Sequence, residues 1–89
     1  MMLPIFQLKP GQIIIPRMMI NPTMAANWRY RTENADIGAG LTPAAELKIV
    51  EVNASIPGNH WIRVQIPGRN PPAYLKLWGE EVSRFNLKQ

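Results

Sequence analysis

The chain has 89 residues, which is room for one domain, and its 46% hydrophobic content is enough to build a packed core. Nine prolines and six glycines argue against an α-bundle. The absence of cysteine excludes a disulfide scaffold, a thiolate metal site and a thiol nucleophile, and the single histidine, His60, excludes any site built on two imidazoles. Ten Lys and Arg against six Asp and Glu leave a net charge of +4, unevenly placed. Lys9, Arg17, Arg29 and Arg31 stand without an acid in residues 1–31, the stretch 32–59 is acidic, and residues 60–89 are basic again. Such a distribution suits a polyanion or contact between copies, whereas a solvated surface is its plainer reading.

The opening Met1-Met2-Leu3-Pro4-Ile5-Phe6 has no basic leader, and its apolar run stops at Gln7. A spanning helix needs roughly 20 apolar residues, so neither a signal peptide nor a membrane span is read here. A cytoplasmic location is expected, unless the chain is a piece of an exported protein. Prolines then recur at Pro4, Pro10, Pro16 and Pro22. Each removes an N–H and restrains its predecessor to extended geometry, so residues 1–22 are expected to form an extended arm or edge strand. The arm carries Ile5, Phe6, Ile13, Ile14, Ile15, Met18, Met19 and Ile20, candidates for docking onto a protein partner or onto another copy of the chain, and its alternative is to complete the chain's own barrel as first strand and closing loop.

Residues 23–89 read as a small β-barrel domain. Ala26–Arg31 alternates Trp28 and Tyr30 with Asn27, Arg29 and Arg31, the pattern of a half-buried strand. Leu41–Glu46 is ambiguous: Thr42-Pro43 suits the start of a short helix, but Ala45 stands where a capping box wants Glu or Gln. In Glu46–Asn53, Leu47 and Ile49 share one face while Val50 and Val52 take the other, which calls for a bulge or burial on both sides. Trp61–Ile66 is the cleanest strand, with Ile62, Val64 and Ile66 inward and Trp61 outward. Pro57-Gly58 suits a type II turn, and a second Ile-Pro-Gly, Ile66-Pro67-Gly68, opens a loop through Pro71-Pro72. Ala73–Trp78 alternates Leu75 and Leu77 against Tyr74, Lys76 and Trp78, and Val82 with Phe85 suits a helical turn or a closing strand. The expected core is Leu47, Ile49, Ile62, Val64, Ile66, Leu75 and Leu77.

From about Thr23 to Phe85 the chain resembles the bacterial Src-homology-3-like domain. The residues that carry the resemblance are Asn27-Trp28-Arg29, Ile37-Gly38, Leu41-Thr42-Pro43, Glu46–Val52, His60-Trp61-Ile62-Arg63-Val64 and Ala73-Tyr74-Leu75. The family's Ser-Gly-Pro after the first-strand Arg is replaced by Tyr30-Arg31-Thr32-Glu33. The resemblance implies a partly open antiparallel barrel of five to six short strands that binds and does not catalyse, and many relatives hold peptidoglycan in the cell wall.

Catalytic groups are sparse. Ser55, Ser83, His60 and Asp36 are not placed as a triad by their spacing, and Glu80-Glu81 are adjacent on the chain. Ile37-Gly38-Ala39-Gly40-Leu41 lacks the Lys and Ser/Thr of a phosphate loop. No enzyme activity, cofactor or metal is expected. Aromatic residues flanked by cations are better supplied, and Arg29, Arg31, Trp61, Arg63 and Tyr74 are the candidate ligand-binding set. The first functional reading is therefore a non-catalytic binding or assembly module that docks through the apolar arm. A nucleic-acid-binding barrel is the second, and a peptidoglycan-binding domain the third.

Overall fold

The computed structural model of the chain describes residues 7–26, 40–55 and 58–88. Five short strands form one antiparallel sheet: β1 (Ile13–Pro16), β2 (Leu47–Asn53), β3 (Trp61–Ile66), β4 (Ala73–Trp78) and β5 (Phe85–Leu87). Two single-turn helices, α1 (Pro22–Ala26) and α2 (Gly79–Val82), sit in the β1–β2 and β4–β5 connections. The spatial order is β4-β3-β2-β1-β5. The chain is thus all-β, as its alternation predicts. No ladder joins β4 to β5 among the described residues, so the sheet is open.

The expected core forms as read. Leu47, Ile49, Ile62, Val64 and Leu77 are fully buried, with Ile66 and Leu75 at 2% and 1% exposure. Ile14, Ile20, Leu41, Val82 and Phe85 join them. The β2 pattern is reconciled by a bulge, because the β2–β3 register shifts between Ile49 and Glu51. The extra residue, Val50, returns Val52 to the inner face opposite Ile62, while Glu51 meets Arg63 on the outer one.

The N-terminal segment departs from expectation. β1 is an interior strand, paired with β2 at Ile13↔Lys48 and Ile14↔Leu47 and with β5 from Ile14↔Leu87 to Pro16↔Phe85. Strand pairing therefore does not divide the chain at residue 22, and Ile13–Pro16 is not a free arm. Pro16 is tolerated for a specific reason. Arg17 N donates to Arg84 O and Lys88 N to Ile13 O, so the odd positions of β1 serve β5 and the even ones face β2. Pro16 is even, but the β2 ladder has already ended at Ile14, and its missing N–H leaves no gap.

Pro22 likewise starts a helix where extended chain is expected. Asn21 Oδ1 accepts from Met24 N at 2.7 Å, the bond of an N-cap, which puts Pro22 at the first helical position, where no N–H is needed. Ala26, expected to open a strand, ends this helix, and the remainder of that stretch, with Trp28, Arg29, Tyr30 and Arg31, lies outside the described residues. Thr42-Pro43 makes a turn, closed by Ala45 N donating to Thr42 O. The Pro67-Gly68 turn joins β3 to β4 with Gly68 at φ +75°, a left-handed value that glycine adopts without strain. Pro57 lies outside the described residues. Val82 and Phe85 fall in different elements, since α2 ends at Val82 and β5 begins at Phe85. At the start of α2 the buried Glu81 accepts through Oε1 from Trp78 N at 2.9 Å, which satisfies a helix-start donor.

Candidate binding surfaces

Two surfaces bring the candidate residues together. The first is the outer face of β2, β3 and β4. Register places Trp61 opposite Trp78, Arg63 opposite Lys76 and Gln65 opposite Tyr74, all facing away from the Ile62/Val64/Ile66 side. Lys76 Nζ lies 4.3 Å from the Trp61 ring centroid and 5.8 Å from that of Trp78. The Arg63 guanidinium stands 5.5 Å from the Trp61 centroid and also donates to Glu51 Oε1 in an ion pair. Indole faces carry negative quadrupole density, so they hold these cations without neutralising them. Trp61 and Tyr74 are half-buried on the same face, four register positions apart. At ~3.3 Å per residue that separation is about 13 Å. Of the expected ligand set, Trp61, Arg63 and Tyr74 thus share one surface. Arg29 and Arg31 lie outside the described residues.

The second surface is a groove of about 460 Å³ between the end of β1 and the start of β5, lined by Arg17, Met18, Met19, Ile20, Met24, Ser83 and Arg84. Met18 is 69% exposed and Met19 46%, the exposed large hydrophobics of the described residues. Arg17 Nη1 donates to Ser83 O at 3.3 Å, which fixes one guanidinium at the rim, and Arg84 stands beside it. The other docking candidates are placed differently. Ile14 and Ile20 are buried in the chain's own core, at 0% and 1% exposure, so they are not available to a partner. Ile13 and Ile15 are half-buried within β1, and Ile5 and Phe6 lie outside the described residues. Arg17, Met24 and Arg84 join the groove unannounced by local pattern, because only the β1–β5 register brings residue 17 beside residue 84.

Gly40 supports the groove from below. Its φ is +119°, and an added Cβ would stand 2.6 Å from Met19 Cε and 2.7 Å from Ile20 O. Behind it, Ile20 N donates to Leu41 O and Leu41 N to Ile20 O, both at 2.8 Å. Gly40→Ala is expected to break this bridge, because the side-chain contact can yield but the carbonyl cannot. Left-handed strain plus the clash costs about 2 kcal/mol, a loss of roughly 10 °C in Tm. A thermal melt checks it, and an unchanged melt would show that the Ile20–Leu41 bridge does not contribute to stability.

Among the described residues no helix is long and apolar enough to cross a membrane, and no cluster of three or more metal-ligating side chains occurs. Comparison of the chain with family models, with curated proteins and with solved structures found no match to any of them.

Proposed function

We propose that the chain is a non-catalytic binding module, a small Src-homology-3-like barrel that docks a protein partner in the Met18–Met19 groove. The barrel reading rests on the resemblance carried by His60–Val64 and Ala73–Leu75, and five short antiparallel strands in one open sheet are what a partly open barrel requires. The docking reading rests on one observation. Two adjacent methionines stand exposed in a concavity, whereas the neighbouring Ile14, Pro16 and Ile20 are buried. Methionine is flexible and polarisable, so such a surface adapts to an apolar side chain without fixing its shape. Arg17 and Arg84 at the rim favour a partner segment with carboxylates beside its apolar anchor.

A selection of displayed random peptides on the immobilised chain tests this. Enrichment of segments pairing a bulky apolar residue with Asp or Glu is expected, and the Met18→Lys/Met19→Lys double variant is expected to lose at least tenfold in affinity for them. Peptides that bind the double variant as well as the parent would remove the groove as the docking site. The substituted side chains are exposed, so the fold is expected to survive.

A further inference from the structure

We propose that the outer face of β2, β3 and β4 is a second binding site, and that its ligand is single-stranded nucleic acid. Charge is the first support. Lys48, Arg63 and Lys76 share this face with one carboxylate, Glu51, which is taken by Arg63. Among the described residues neither Lys48 nor Lys76 has a carboxylate partner, and the Lys76 ammonium lies over the Trp61 ring, with Trp78 farther off. A polyanion neutralises this excess, and the net charge of +4 adds long-range attraction.

Ring geometry is the second support. Trp61 and Tyr74 lie on the same face as the cations, at opposite ends of the β3–β4 ladder. An acidic polypeptide would answer the cations and leave both rings without a stacking partner, whereas a strand of nucleotides supplies phosphates and planar bases together. A duplex keeps its bases stacked internally, so the single strand is the form that matches. Lysine is a point charge on a flexible stem. Lys76 can swing from the Trp61 ring to a phosphate while a base takes its place over the indole. Trp78, the register partner of Trp61, is buried, and the site needs no residue of the methionine groove.

Tryptophan fluorescence of the full chain, titrated with a short oligothymidylate and separately with heparin and polyglutamate, tests the assignment. Saturable quenching by the oligonucleotide is expected. Its affinity should fall with salt at a logarithmic slope of about −1.4 to −2, the value for two or three neutralised phosphates on a single strand. Trp61→Ala is expected to weaken binding roughly tenfold or more, as loss of one base stack does, while Trp61→Phe stays within a few-fold of the parent. Lys76→Glu, on the outer face and away from the core, should match Trp61→Ala and serves as its check should the alanine variant fail to fold. Absence of saturable quenching would overturn the proposal. So would oligonucleotide binding unaffected by Trp61→Ala and Lys76→Glu, which would leave only a diffuse basic surface. Polyglutamate competing as strongly as the oligonucleotide would assign the face to an acidic polypeptide instead.

Discussion

Val64→Asp is expected to leave the chain unfolded at room temperature. Val64 is completely buried in the middle of β3, opposite Ile49 on one side and Leu75 on the other. All three face the same core, and among the described residues no cation lies in it. A carboxylate placed there has neither water nor a partner, and it either ionises at a large desolvation cost or takes up a proton and still lacks full hydrogen bonding. The lost valine packing adds to this. Several kcal/mol in total approaches the whole stability of a domain of this size, for which about 5–10 kcal/mol is typical. Circular dichroism and a thermal melt check the outcome. A cooperative transition near the parent's temperature would remove Val64 from the core. Val64→Ala serves as the graded control, with an expected loss of about 2–3 kcal/mol from the cavity alone.

What was legible in the sequence follows from how local each cause is. β3 and β4 alternate without interruption around a Pro-Gly turn, so their core residues and their outward Trp61 could be read directly. The irregularity of β2 was visible as a phase break between Ile49 and Val50, and the bulge is its resolution. β1 departs from expectation because the effect of a proline depends on its position in the ladder and not on its type. A proline excludes a central strand only where its N–H would face a partner, and Pro16 stands one step beyond the β2 ladder. That fact depends on the pairing with Leu47, more than thirty residues away, and local pattern does not contain it. The same holds for the methionine groove, whose two arginines meet only through the β1–β5 register. Met18 and Met19 look like the rest of the apolar segment in sequence. They differ because β1 ends at Pro16 and Ile20 turns back into the core to bridge Leu41, which leaves the two methionines on the outside of the bend.

Removal of residues 1–16 distinguishes a detachable arm from a structural strand, and loss of the fold is expected. β1 is the only described strand that pairs with β5, so its removal leaves Phe85–Leu87 without a ladder. Phe85 and Leu47, both fully buried, would each lose the strand that covers them. Ile14 contributes a fully buried aliphatic side chain of its own, and Leu8 is buried at 6% exposure. Truncating one such side chain costs about 2–5 kcal/mol, so the combined loss exceeds the stability of a domain this small. Backbone pairing goes with it, since Gly11 N donates to Ile49 O and Ile49 N to Gln12 O at the bulge. The truncated chain is expected to show poor amide dispersion in a proton–nitrogen spectrum and no cooperative melt. If it melted cooperatively within a few degrees of the parent, β1 would be an accessory strand, and the docking surface would have to extend over Ile13–Pro16 as well as the two methionines. The converse addition gives a second arm to the test. A synthetic peptide of residues 7–16, supplied to the truncated chain, is expected to restore the melt by folding together with it, because its return re-forms the ladders to both β2 and β5.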